Sequence, residues 1–206
     1  RAYDPAFAYE IAVIVEEGLR RMFVEGEDLI YYLTVENELY RMPGMPEGAR
    51  EGILRGLHRI RAHEGKRKGK ARRVAILGSG ALVNEALAGA DLLRERFDVE
   101  AEVWSATSYP ELIRDALDCE RWNRLHPDAE PRTPYVQRCL GDASAVVAVT
   151  DYSQTLPSSL GRWLDGPIEP LGTDGFGRSD TRAALRAFFE VDRRHVALAA
   201  LQALSR

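Results

Sequence analysis

The sequence predicts an α/β protein: a mostly parallel sheet of roughly four or five strands with helices on both faces, preceded by a helix and strand of a separate unit. Two observations carry this reading. From Val74 onward, short apolar runs alternate with helical patterns in the order strand, helix, strand, which is the unit of a parallel sheet. Before Arg73 the rhythm differs, and a Gly/Lys/Arg-rich stretch separates the two parts.

In the first part, Asp4 stands as an N-cap and Pro5 at the first helical position, and Phe7, Ile11, Ile14, Val15, Leu19, Met22 and Phe23 recur on one helical face. After the charged turn Glu25-Gly26-Glu27-Asp28, the β-branched and aromatic run from Leu29 to Val35 reads as a buried strand. Met42-Pro43-Gly44-Met45-Pro46 cannot continue any element, because each proline removes a donor and restricts its predecessor. A shorter helix is expected from Ala49 to about Arg61, and residues 65–73 read as an exposed linker. The resulting division is 1–47, then a connecting helix and basic linker over 48–73, then 74–206.

In the second part, Val74-Ala75-Ile76-Leu77 is a strand and Gly78-Ser79-Gly80 a tight turn. Ala81 to Phe97 is a helix with Leu82, Ala86, Leu87, Ala90 and Leu93 inward. A second strand covers Ala101 to Ala106, and a short helix opens at Pro110. Ser144 to Thr150 forms a third strand, and Ile168 to Gly172 a short fourth at an edge, where Pro170 is tolerated. Asp180 and Asp192 are positioned to cap two last helices, the final one carrying Val196, Leu198, Leu201 and Leu204.

Composition narrows the function classes. Apolar residues make up 45% and charged residues 29% of the 206, which is the balance of a folded globular chain rather than a disordered one. No run approaches the roughly eighteen apolar residues of a membrane span, and the first residues do not build a signal peptide, so a cytoplasmic protein is expected. The net charge of -4 argues against nucleic-acid binding, and the basic run Lys66 to Arg73 lacks the aromatics that would stack on bases. Cys119 and Cys139 have no Cys-x-x-Cys or zinc spacing, and His58, His63, His126 and His195 share no metal-ligand spacing, so metal binding is not expected.

Four features invite a chemical reading. Gly78-Ser79-Gly80 follows a strand and opens a helix, where backbone amides can hold a phosphate. The dinucleotide fingerprint is incomplete, however: Val83 replaces its third glycine and Ser105-Ala106-Thr107 its acidic residue. The turn is read as a device for close helix packing, with an independent anion- or nucleotide-binding module as the alternative. Ser179, Asp174 and His195 could form a triad in space, although Ser179 beside Asp180 is better explained by capping, and Cys119 sits among acids that oppose thiolate formation. Leu171 to Thr181 places three glycines in a six-residue span, and Phe176 is expected to anchor this loop while Arg178 pairs with a carboxylate.

This loop, continuing through Ala187-Phe188-Phe189-Glu190-Val191-Asp192, resembles the C-terminal domain of transketolase-like enzymes, specifically the homodimeric pyruvate dehydrogenase decarboxylating component. Tyr3 to Glu10, Tyr40 to Gly48, Leu77 to Gly80, Asp118 to Pro127 and Val149 to Tyr152 resemble the same family, and together they span nearly the whole chain. The resemblance implies that residues 1–47 end a pyrimidine-binding middle domain and that the remainder is the transketolase C-terminal-like domain. It implies a parent enzyme that uses thiamine diphosphate and Mg²⁺ to decarboxylate pyruvate and acetylate lipoyl groups. That parent would be a homodimer bound to the dihydrolipoyl acetyltransferase of a multienzyme complex. The family's Gly-Asp-Gly and Asn-Asn cofactor motif is absent, since Thr173-Asp174-Gly175 lacks the asparagines, and one aspartate cannot hold a hard divalent ion. No catalytic, cofactor-binding or metal-binding residue is therefore assigned in this chain, which is expected to serve dimer packing and complex assembly.

Overall fold

A computed structural model describes residues 1–62 and 73–205, so the basic run ahead of Arg73, together with His63, lies outside the described residues. The amino-terminal part contains β1 (Ala2–Tyr3), α1 (Ala8–Leu19), which widens into a π-helical turn over Arg20–Val24, β2 (Tyr32–Leu33) and α2 (Ala49–Arg55). β1 and β2 form a two-stranded parallel ladder. The strand expected over Leu29 to Val35 is thus only two residues of ladder, because β1 is its sole partner among the described residues and is itself that short.

Two expectations for α1 and α2 are corrected. Asp4 does not cap α1; the helix begins after Phe7, and Glu10 bends back so that its carboxylate accepts from the amides of Ala6 (2.5 Å) and Phe7 (3.1 Å). A carboxylate on the first turn satisfies end amides and suits the positive end of the helix dipole, so Asp4 is released for other contacts. α2 stops at Arg55, because Gly56 turns left-handed (φ +99°) with its backbone against Ser108, and the chain continues as β3 (His58–Arg61).

The main sheet follows with β4 (Val74–Gly78), α3 (Val83–Phe97), β5 (Ala101–Ser105), α4 (Tyr109–Leu125), α5 (Tyr135–Leu140), β6 (Ala145–Val149), α6 (Thr155–Ser158), β7 (Ile168–Leu171), α7 (Arg182–Phe188) and α8 (Arg193–Ser205). Its five strands lie in the order β3-β5-β4-β6-β7, all parallel except β3, which runs antiparallel to β5. β7 forms one edge, and Pro170, which has no amide to donate, sits there as expected. The other edge strand, β3, comes from the segment expected to be helix and linker.

Strand alternation sorts the core into two layers. Val74, Ile76, Val103, Val147 and Val149 face α3 and α8, whereas Ala75, Leu77, Trp104, Val146 and Ala148 face α4, α5 and the turn around Leu160. Ile76 and Leu77 are both fully buried, each worth about 1.5–3 kcal/mol of apolar burial. α3 buries Leu82, Ala86, Ala90 and Leu93 as expected, and α8 approaches it closely because Gly89 faces Val196. α8 contacts the core mainly through Val196, Ala197, Ala200 and Ala203, leaving Leu198 outward.

α4 is a full helix rather than a short one: Ser108 caps it by accepting from the amide of Glu111, and Pro110 fits its first turn. Asp192 accepts from the amides of Arg194 and His195 and caps α8. α7 is capped by Thr181, which accepts from Ala184, while Asp180 bonds only the amide of Thr181. Phe176 is also corrected: it is 96% exposed and fills no apolar pocket among the described residues. Arg178 instead stacks its guanidinium 4.0 Å from the Phe188 ring and pairs with no carboxylate among the described residues.

Candidate functional site at the strand carboxyl ends

The sheet leaves β4 toward β5 on one side and toward β6 on the other, and open α/β sheets bind ligands at such a switch point. In this chain the position belongs to Gly78-Ser79-Gly80. A Cβ on Gly78 would stand 2.6 Å from the Cα of Val83, so the glycine lets α3 start directly against the sheet, the structural reading of this turn. The amide of Ser79 donates to Val149 O (3.2 Å), and its hydroxyl shares a 2.8 Å hydrogen bond with Thr150.

The remaining amides of the turn are taken by the amino-terminal segment. Gly80 N donates to the Asp4 carbonyl at 3.2 Å and Ala81 N to the Glu36 carboxylate at 3.0 Å. The groups that would cradle a phosphate are therefore already engaged, one of them by a carboxylate. Asp4 N donates in turn to Thr107 O (2.7 Å), and the hydroxyls of Thr107 and Ser108 donate to Ile53 O (2.7 Å) and Ala2 O (2.6 Å). These bonds stitch residues 1–55 across the carboxyl ends of β4 and β5.

The seam is electrically negative. Desolvation raises the carboxyls of Asp4 and Glu36 above their ordinary range, and hydrogen bonds from Thr34 and from the Ala81 amide only partly oppose it. Asp151 is pushed up to about 6 by the desolvating surroundings of the seam and by the Glu36 carboxylate, even though the residue as a whole is exposed at the surface. Arg186 is the nearby counter-charge, but it is bound to Glu38 (2.5 Å) and Glu85 (3.4 Å).

A second tie lies deeper. His58 Nε2 on β3 sits 2.6 Å from Glu10 Oε1, with both side chains buried. Sequence reasoning missed this pair because His58 was placed in a helix; Gly56, a helix stop two residues earlier, was the signal that could have found it.

The other candidates disperse. Asp174 accepts from the amide of Gln154 and His195 bonds Asp192, so Ser179, Asp174 and His195 do not assemble as a triad. His126 bonds its own helix at Trp122 O. Desolvation first, then Asp115, raises the Cys119 thiol; desolvation also raises Cys139, and both thiols are free. Among the described residues no group of three or more His, Cys, Asp or Glu could hold a metal ion. The run around Cys119 has packing duties: Glu120 accepts from Trp163 Nε1 (2.7 Å), Asn123 ties down Arg132, and the Trp122 ring stacks with both His126 and the Arg132 guanidinium.

This arrangement joins the amino-terminal segment to the main sheet through hydrogen bonds at the carboxyl ends of β4 and β5. The model of the transketolase-like C-terminal domain matches residues 56–192. The chain belongs to that family. Residues 1–43 match the middle domain of the pyruvate dehydrogenase E1 component. The pyruvate dehydrogenase E1 component of Pseudomonas aeruginosa is 49% identical over 100% of this chain, that of Escherichia coli K12 47% over 100%, and that of Mycolicibacterium smegmatis 46% over 99%. The chain spans only 22–23% of the length of these relatives. A transketolase from Pichia stipitis, solved with sedoheptulose 7-phosphate, shares the fold at a TM-score of 0.62 and 16% identity, covering 99% of this chain and 25% of its own. A transketolase from Leishmania mexicana does so at 0.61. No helix among the described residues is long and apolar enough to cross a membrane.

Proposed function

We propose that this chain works as the carboxyl-terminal part of a thiamine-diphosphate-dependent pyruvate dehydrogenase E1 component, holding the end of the middle domain against the transketolase-like domain. One observation carries the reading: a seam of buried hydrogen bonds on one side of residues 1–47 and an open apolar face on the other. Tyr3, Val13 and Ile14 are buried with Ala49 and Ile53, and Phe7 with Val83 of the main domain, whereas Leu19, Phe23, Val24, Ile30 and Tyr32 are half to four-fifths exposed. Monomeric surfaces rarely carry so many large apolar side chains together, and β2 ends a ladder of only two strands. The rest of the middle domain is the natural cover for this face.

Pyruvate decarboxylation and acetyl transfer to lipoyl groups then belong to the whole enzyme, acting as a cytoplasmic homodimer with a dihydrolipoyl acetyltransferase. Thiamine diphosphate and Mg²⁺ do not fit the residues here. Asp174, the nearest match to the cofactor motif, spends a carboxylate oxygen on the Gln154 amide, and the amides of the Gly78-Ser79-Gly80 turn are engaged. Dimer packing and complex assembly are this segment's share. Hydrogen exchange compares the chain alone with a longer protein that includes the preceding middle-domain residues. Amides between Val15 and Leu39 gain protection in the longer protein; unchanged exchange there would overturn the assignment of this face.

A further inference from the structure

The loop between β7 and α7 is fastened at both ends and bare at its tip. At its start the Thr173 amide donates to Tyr152 O (2.9 Å), and Asp174 accepts from the Gln154 amide (3.1 Å). At its end Thr181 caps α7 and Arg178 stacks on Phe188. Between these ties stands the exposed Phe176, flanked by Gly175 and Gly177, where an added Cβ would meet nothing within 4 Å.

Both ends of the loop abut one stretch of the amino-terminal segment. The Tyr152 hydroxyl lies 3.4 Å from Thr34 Oγ1, and in α7 Arg182 donates to Asn37 (2.6 Å) while Arg186 binds Glu38 (2.5 Å). Side chains alternate along that stretch. Thr34 donates to Asp4, Glu36 accepts from the Ala81 amide and Glu38 from Arg186, whereas Val35 and Leu39 are 71% and 99% exposed. We propose that Phe176, Val35 and Leu39 form one docking surface whose occupant is the rest of the middle domain, earlier in the same polypeptide. The inference rests on the proposed E1 role and extends the covered face from residues 1–47 onto the transketolase-like domain.

Continuity selects this occupant. Ile30 and Tyr32 belong to the open face already assigned to the middle domain, and Val35 follows them within two residues of the end of β2. Chemistry agrees, because the polar positions of the stretch are spent on inward hydrogen bonds and what remains outward is apolar. One exposed apolar side chain is ordinary, but three on adjoining anchored segments make a patch that calls for a protein surface. A loop held at both ends also presents its aromatic ring at little ordering cost.

Hydrogen exchange on this chain and on a longer protein with the preceding domains tests the proposal. Among the described residues the amides of Asp174 to Arg178 donate no hydrogen bond, so their exchange should be fast in the chain alone and slow by about tenfold or more in the longer protein. Phe176→Ser should lower the melting temperature of the longer protein by several degrees and leave that of the chain alone unchanged, with Phe176→Leu restoring most of the loss. Protection gained between Val15 and Leu39 but not between Asp174 and Arg178 would overturn this inference and leave the E1 reading standing; no gain in either window would remove both. Loop protection that rises with the concentration of either protein would make a second copy the occupant, and equal effects of Phe176→Ser on the two proteins would make the ring's role internal to this chain. Either result would overturn the proposal.

Discussion

Glu10 on the first helix and His58 on the edge strand meet at 2.6 Å with side chains 0% and 2% exposed, and this pair joins the amino-terminal segment to the main sheet. Glu10 also serves the amides of Ala6 and Phe7. Glu10→Ala would leave three buried groups without an acceptor, which costs about 2–4 kcal/mol. Urea denaturation should show that loss, with Glu10→Gln losing less because the amide oxygen still accepts; an unchanged midpoint for Glu10→Ala would mean that water replaces the carboxylate.

Glycine substitutions should separate close approach from backbone strain. At Gly56 a Cβ would lie 2.3 Å from Ser108 O in a left-handed backbone, and at Gly78 it would lie 2.6 Å from Val83 Cα. Gly175 is left-handed too (φ +80°) but has nothing within 4 Å. Gly175→Ala should cost about 1–2 kcal/mol from conformation alone, whereas Gly56→Ala and Gly78→Ala should cost distinctly more. Thermal melts of the three variants rank them, and equal losses would contradict the packing argument.

Two carboxylates should give opposite pH signatures. Burial pushes the Asp192 carboxyl up, but hydrogen bonds from the Arg194 side chain and from His195 outweigh it and hold the carboxyl well below the usual range. Its folded value is depressed, so its stabilisation is present above the ordinary aspartate pKa of about 4 and disappears as the pH falls toward the folded value. Asp151 is raised to about 6, so the folded state holds its proton more tightly and stability falls as pH rises from about 4 through 6. At pH 7 Asp192→Ala should destabilise, by about 1 kcal/mol as for other lost caps, whereas Asp151→Asn should stabilise and flatten the profile between pH 4 and 6. Denaturation curves across that range test both signs.

The legible part of the fold was the part in which local pattern and tertiary context agree. Apolar runs such as Val74 to Leu77 and Ala145 to Val149 form central strands buried on both faces, so uninterrupted hydrophobicity reported them well. Pro170 marked its edge correctly. β3 was missed because His58-Arg59-Ile60-Arg61 has only one strongly apolar residue, and its central alternation becomes meaningful only once Glu10 and β5 stand beside it. Asp4 was misread for the same reason: it has the chemistry of a cap, but the distant Gly80, Thr107 and Thr34 claim it. The switch-point turn was readable as packing, although that Glu36 would take the Ala81 amide was not, since nothing local links positions so far apart in the chain.

The open apolar face should govern how this chain behaves alone. Phe23 and Ile30 are 78% and 82% exposed, so the double substitution Phe23→Ser with Ile30→Ser removes apolar surface without opening a cavity. Light scattering should show less self-association and denaturation little change in stability. In a longer protein with the rest of the middle domain, the same substitutions should destabilise, because the face is then covered.

The most direct test is calorimetric titration of thiamine diphosphate with Mg²⁺ into this chain and into a longer protein that includes the preceding domains, beside a pyruvate decarboxylation assay with an artificial electron acceptor. Binding and turnover by the longer protein alone is the predicted result. Micromolar binding with turnover by this chain by itself would contradict the account and would place the reaction within the residues described above.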